Sequence, residues 1–305
     1  MKNTLITYQS LLPAGAIAAL VLSVGALQFT DSFAAPGDPV KFGVYDPDGV
    51  FSSRTDVDIE HLFLPWEDVE LSTIYEADAY ARSRGRVLLV TVEPWTWSPD
   101  WRVTPTQLQS RILSGYYDQN MIAICKILNE LNSPVTVRWG HEMDDPSGQF
   151  TWSRWNPDAY IQAYRRMVDL CRNEAPRVTY MWSPKGEKTM TSYYPGDTYA
   201  DSIGLSVFGL QKWDNDKFGR DRTFAEILKP GYDRAAAYGK PIVVAELGYV
   251  GDTAYVQSWD QAVKQSDPAF PNLTANVYFN QKEVYPWPDG YGLPDWRVTQ
   301  QVVSN

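Results

Sequence analysis

The sequence predicts an α/β fold, a single-domain (β/α)8 TIM barrel, on three observations. Short β-branched runs recur along the chain, most of them followed by a helical pattern, an alternation that implies a parallel sheet. Eight such strands fall within about 265 residues, the size at which a (β/α)8 barrel closes as one domain. No Gly-rich phosphate turn follows the first strand, which argues against the rival arrangement, a doubly wound open sheet.

In chain order, strand one is expected at Val40 to Tyr45, closing on the turn cluster Asp46-Pro47-Asp48-Gly49, and strand two at Val57 to Leu64. A helix over Ser72 to Arg84 carries Ile74, Ala77 and Ala81 at helical spacing and stops at Gly85. Strand three, Arg86 to Val92, runs into Glu93-Pro94-Trp95-Thr96-Trp97, with Trp101 beyond. A helix over Asp118 to Leu131 leads to strand four, which opens at Val135 and ends in Arg138-Trp139-Gly140-His141-Glu142. The next helix has Asn156 as N-cap, Pro157 at its first position and a span to Arg172. Strand five is Val178 to Trp182 and strand six Ile203 to Phe208. A helical stretch, Phe224 to Tyr238, is expected to break near Pro230-Gly231; strand seven, Pro241 to Ala245, ends in Glu246; strand eight is Ala275 to Phe279. The barrel domain is expected to occupy residues 35–305.

Residues 1–34 have another character. Lys2 precedes an apolar run from Leu11 to Phe29, and Ser32-Phe33-Ala34 places small residues at the −3 and −1 positions of a cleavage site. This reads as a signal peptide cleaved after Ala34, with an uncleaved signal anchor as the rival. The product is expected to be exported: periplasmic, secreted or membrane-anchored outside the cytoplasm. Membrane contact is expected only if that segment remains as an anchor. Cys125 and Cys171 lie in helices expected to be neighbours, which leaves a disulfide and buried free thiols both open.

A net charge of −10 with no basic run excludes phosphate-backbone recognition, so no nucleic-acid partner is expected. With two histidines in the chain, no metal site is expected, and no motif calls for a cofactor. Twelve Trp, 19 Tyr and 11 Phe suit both core packing and the CH-rich faces of sugars.

In a (β/α)8 barrel, functional side chains sit at the C-terminal ends of strands. Asp46, Trp66, Glu93, Trp95, His141, Glu142, Trp182, Phe208, Glu246 and Tyr278 hold such positions. Two carboxylates stand out, Glu142 after strand four and Glu246 after strand seven, on opposite sides of the mouth. A carboxylic acid facing a carboxylate among aromatic rings fits glycoside cleavage, one group protonating the leaving oxygen and the other attacking or stabilising the anomeric carbon. Glu67 and Glu187, by contrast, read as solvated turn residues.

Arg138-x-x-His141-Glu142-Met143 resembles the acid/base motif of glycoside hydrolase family 26, and Val244-Ala245-Glu246-Leu247-Gly248 resembles that family's nucleophile strand. Asn156-Pro157-Asp158-Ala159-Tyr160, Tyr194-Pro195-Gly196-Asp197 and Asp295-Trp296-Arg297 add matches in order, so the resemblance covers Val40 to Val298. It implies a monomeric retaining endo-β-glycanase with Glu142 as acid/base and Glu246 as nucleophile, oriented by Arg138 and His141. Around them, Trp95, Phe150, Trp152, Trp182, Phe208 and Tyr278 would contact a polysaccharide. Three departures are visible: Phe208 where the family has a Tyr, Tyr278 where relatives carry a Trp platform, and an insertion after Met143 (Asp144-Asp145-Pro146-Ser147) that brings Gly148 and Phe150 into motif positions. The family resemblance leaves β-1,4-mannan, mixed-linkage β-glucan and β-1,3-xylan as substrates; Glu93-Pro94-Trp95 is similar to the glucan-active branch, and mannan is the commonest. A polysaccharide-binding protein with weak catalysis and a transglycosylase of exopolysaccharide metabolism are the alternatives.

Overall fold

The computed structural model describes residues 38–95 and 103–303, so the expected signal segment, Trp97 and Trp101 lie outside the described residues. Eight parallel strands close in sequence order: β1 (Lys41–Tyr45), β2 (Ile59–Pro65), β3 (Val87–Glu93), β4 (Val135–Trp139), β5 (Thr179–Trp182), β6 (Ser202–Leu210), β7 (Ile242–Val250) and β8 (Leu273–Phe279). Ladders from β1 against β8 and β7 against β8 complete the ring. The (β/α)8 expectation holds.

Strand alternation divides the side chains. Ile59, Leu89, Met181, Val243, Ala245, Ala275 and Val277 form a small apolar plug inside the barrel. The opposite faces, among them Val137, Trp139, Trp182, Leu205 and Tyr278, belong to the larger core between strands and helices. Packed layers inside and a helix-covered outside leave the strand ends as the place for polar chemistry.

The helices are α1 (Thr73–Ser83), α2 (Pro105–Leu113), α3 (Asp118–Glu130), α4 (Pro157–Glu174), α5 (Gln211–Phe218), α6 (Phe224–Ala236) and α7 (Thr253–Ala262). Asn156 caps α4 as expected, its side chain accepting from Asp158 N. The break expected near Pro230 is absent: α6 runs through it. A reciprocal capping box between Thr223 and Glu226 starts that helix, and Phe224, Leu228, Tyr232 and Ala235 bury one face, which together offset the hydrogen bond that proline deletes. Helices α2, α5 and α7 are additions to the sequence reading. The first had a legible start, Thr104-Pro105 with Gln107 closing a capping box, and the last is capped by Asp252. By contrast, α5 is mostly polar and begins directly at the end of β6, so neither periodicity nor a turn marks it.

Strand β6 runs two residues and β7 five residues beyond the expected end, and the two pair from Ser206–Glu246 to Leu210–Val250. Glu246 therefore lies within a strand rather than after one.

Cys125 of α3 and Cys171 of α4 form a disulfide on the outside of the barrel, closing a loop with a sequence separation of 46. Replacing both cysteines with serine is expected to lower stability by about 2–4 kcal/mol. Denaturant titration of the oxidised protein and the double variant measures the difference; equal midpoints and slopes would contradict it.

Candidate active site

The site is built on the inward-facing residues at the strand ends. Arg138, on β4, is fully buried and spreads its guanidinium over three other strands or their ends. Its Nε donates to Ser183 Oγ beyond β5 at 2.8 Å, and Nη1 donates to Thr91 Oγ1 of β3 at 3.2 Å and to Glu246 Oε1 of β7 at 2.6 Å. Beneath it, His61 Nε2 meets Thr91 Oγ1 at 2.7 Å.

Glu246 faces inward because of a bulge. Val243 and Ala245 point into the barrel. Strict alternation would then aim Glu246 outward into the helix layer. The ladder instead passes from Leu205–Val244 to Ser206–Glu246, leaving Ala245 as the extra residue. One inserted residue reverses the parity and turns Glu246 back into the mouth.

Glu142 reaches the mouth through a strained turn. Gly140 has φ +53° and Glu142 φ +51°, left-handed backbone that glycine adopts freely and glutamate does not. Several hydrogen bonds fix this turn. Gly140 O accepts from Tyr160 Oη at 3.0 Å, His141 O from Trp152 Nε1 at 2.6 Å, and Met143 O from Arg154 N at 2.9 Å. Glu142 N donates to Ser183 O at 2.8 Å, and Glu142 O accepts from Asp145 N at 3.0 Å. The carboxylate then accepts from the hydroxyl of Ser206 on β6.

Burial is the largest influence on Glu246 and holds its carboxyl above the usual carboxylate range; Arg138 opposes this and the charge of Glu142 adds to it. His141 Nε2 lies 3.7 Å from Glu246 Oε1. Burial, with Arg138 and His61 nearby, keeps His141 neutral, so it is a polar neighbour rather than a second cation. Arg138 is thus the counter-charge of Glu246.

The sequence-predicted residues divide sharply. Arg138, His141, Glu142 and Glu246 come together, and Phe208 lines the mouth opposite Phe279. Trp95, Phe150 and Trp152 form one cluster around His141, with Phe150 stacked on Trp152 at 4.8 Å and 4.6 Å from the His141 ring, and Trp95 edge-on to Trp152 at 4.8 Å. Trp152 is fully buried and Phe150 nearly so, which makes them supports of His141; Trp95 stays partly exposed. Trp152, fully buried, does not present its ring to a sugar as expected, and two further expectations fail. Trp182 is buried against Tyr194 and Tyr238 on the helix side. Tyr278 is likewise buried, its hydroxyl donating to Trp296 O at 2.6 Å. Both miss by one residue: Met181 and Val277 face the interior, so their immediate neighbours face out. Trp66 stacks on Tyr117, and Asp46 accepts from Phe51 N and Asn280 Nδ2, both structural roles.

The aromatic residue that β8 does present is Phe279. It stacks on Tyr45 at 5.3 Å, meets Phe63 edge-on at 5.9 Å, and faces Phe208 at 6.5 Å. All four rings are partly exposed and line one side of the mouth. Strand parity counted from Val277 places Phe279 at the mouth, a position that the sequence reading, with Tyr278, missed by one. Ser206 was legible in the same way, two positions before Phe208.

The insertion after Met143 is ordered by its own carboxylates. Asp144 accepts from the backbone N–H groups of Lys185, Gly186 and Glu187 at 2.6, 3.1 and 2.8 Å, and burial still raises its carboxyl to about 6. Asp145 accepts from Ser147 and pairs with Lys185 Nζ at 3.3 Å. The insertion thereby holds the loop after β5 against the turn that carries Glu142. Nothing in the sequence marked this partnership.

Residues 104–229 match the model of Glycosyl hydrolase family 26, a stretch that includes Glu142 and ends before Glu246. Endoglucanase H of Acetivibrio thermocellus is 23% identical over 247 residues, covering 76% of this chain and 26% of that protein. Mannan endo-1,4-beta-mannosidase A and B of Caldalkalibacillus mannanilyticus is 32% identical over 159 residues, covering 46% of this chain and 28% of that protein. Over residues 104–229 the chain is similar to glycoside hydrolase family 26. It spans about a quarter of the length of the curated relatives it matches. In fold it is similar to the catalytic domain of the family 26 endo-β-1,4-mannanase of Bacillus sp. JAMB-750, with TM-score 0.63, 17% identity, and coverage of 80% and 78% of the two chains.

Replacing Arg138 with methionine removes the counter-charge of Glu246 and raises its folded pKa further. A carboxyl raised on folding contributes stability that is complete below its unfolded value and is lost as pH rises through its folded value. The variant is therefore expected to lose more stability at pH 8, about 3 kcal/mol, than at pH 5. Denaturant midpoints at the two pH values measure this; a loss independent of pH would contradict the pairing.

Proposed function

We propose that the chain is an exported, retaining endo-β-glycosidase that hydrolyses a neutral β-linked polysaccharide, β-1,4-mannan or mixed-linkage β-glucan. The observation that carries this reading is the pairing at the mouth. One buried carboxylate, Glu246, is bonded to a fixed guanidinium, and a second, Glu142, is held by a hydroxyl within range of its charge.

In the first step the carboxyl proton of Glu142 passes to the glycosidic oxygen. Glu246 Oε2, which has no hydrogen-bond partner among the described residues, attacks the anomeric carbon as the bond to the leaving oxygen breaks. Arg138 opposes the effect of burial on Glu246 and so favours the negative charge there. In the second step Glu142 accepts a proton from water, the water oxygen bonds to the anomeric carbon, and the ester bond to Glu246 breaks. The glycosyl-enzyme is the same for hydrolysis and transglycosylation; with water as acceptor the outcome is hydrolysis. Tyr45, Phe63, Phe208 and Phe279 supply rings for sugar faces.

Export is supported by the signal-like residues 1–34 and by the Cys125–Cys171 disulfide, since disulfides persist in oxidising compartments.

Glu142→Gln and Glu246→Gln are each expected to lower kcat on the preferred polysaccharide by at least about a thousandfold. Reducing-end release from mannan, mixed-linkage β-glucan and β-1,3-xylan, with NMR of the first anomer formed, tests both substrate and retention. Turnover like the wild type in either variant would overturn the assignment, and an inverted product would overturn the nucleophile role.

A further inference from the structure

A third carboxylate enters the mouth from a stretch that the catalytic reading leaves unused. Beyond β8 the chain folds back on itself: Lys282 and Asp295 form an antiparallel bridge, Glu283 N donates to Pro294 O at 2.9 Å, and Trp296 N to Gln281 O at 3.2 Å. This ribbon swings Trp296 across the end of β7. The fully buried indole packs on Phe208 with ring centres 5.0 Å apart. A Cβ on Gly248 would lie 2.9 Å from both rings, so only glycine admits them at that point of the strand. Trp296 Nε1 then donates to Glu283 Oε1 at 2.8 Å. The Val284 N–H also lies close enough to this carboxylate to stabilise its charge, and among the described residues no side chain donates to Oε2.

The carboxylate therefore stands over the strand that carries Glu246, beside Phe208. Its charge is felt by both Glu142 and Glu246, with Lys185 the cation that opposes it. Burial raises its carboxyl to about 7. The nearby cations are already engaged, Arg138 by Glu246 and Lys185 by Asp145. Among the described residues an anionic sugar would meet three carboxyl groups and no free cation, whereas a neutral sugar offers hydroxyl donors to an acceptor oxygen that no side chain occupies.

We propose that Glu283 is a specificity-determining residue that accepts a hydroxyl of a neutral sugar unit at the β7–β8 side of the mouth. This rests on the glycosidase reading and names one contact of its substrate. Trp296 is the positioning residue, holding one carboxylate oxygen so that the other is presented.

Glu283→Gln isolates the contact, because the amide oxygen still accepts from Trp296 while the charge is lost. In an inactive Glu246→Gln background, calorimetric titration with mannotetraose and a mixed-linkage glucotetraose is expected to show binding weakened roughly tenfold by the added change. Stability separates this role from a structural one. A carboxyl raised on folding costs stability as pH rises from its unfolded value to its folded one, so Glu283→Gln in the wild-type background is expected to melt no lower than wild type at pH 8. Its advantage there is expected to shrink by pH 5. An unchanged dissociation constant, or a lower melting temperature at pH 8, would overturn the proposal. If the Glu246→Gln protein binds neither tetrasaccharide and wild type cleaves none of the three polysaccharides, the glycosidase reading fails first and the proposal with it.

Discussion

The contact on which the rest depends is the ion pair between Arg138 and Glu246. A fully buried guanidinium is tolerated only where its charge and donors are met. Here Thr91, Ser183 and Glu246 meet Nε and Nη1 from three different places around the ring, while Nη2 has no partner among the described residues. The pair therefore does two things at once: it ties β4 to β7 across the barrel, and it favours an ionised carboxylate where burial alone would keep it neutral. Neutral His141 fits beside it without competing for the charge.

The second carboxylate is held by a different device. Glu142 has a backbone conformation that costs about 1–3 kcal/mol. Tyr160, Trp152 and Arg154 bond the surrounding carbonyls, so the turn cannot relax without losing several hydrogen bonds together. The aromatic cluster of Trp95, Phe150 and Trp152 is best understood as the wall behind that turn. Loop rigidity comes from the insertion, whose Asp144 gathers three backbone donors from the loop after β5.

Charge around the mouth is organised rather than merely acidic. Glu142 and Glu246 face each other with one dedicated cation. Tyr45 is raised to about 12 by burial, with Glu93, Asp48 and Glu246 adding to the effect, so its ring carries a neutral hydroxyl beside the site. The result is a ring-lined cleft whose carboxyl groups share one dedicated cation, Arg138.

The sequence by itself determined the (β/α)8 class, because strand and helix periodicities are local and eight units repeat them. It also singled out Glu142 and Glu246, because each directly follows a strongly apolar run. The direction of side chains was a matter for tertiary structure. Trp182 and Tyr278 sit one residue from inward positions, and parity is set by a strand's neighbours, not by its own composition. Glu246 shows the same point in reverse: simple alternation would bury it among the helices, and only the bulge at Ala245, created by pairing with β6, turns it toward Arg138. Glu283 carried no signal at all, since its place depends on Trp296 crossing a glycine about 50 positions earlier. Local pattern marked the candidate residues; register and long-range packing decided which of them meet.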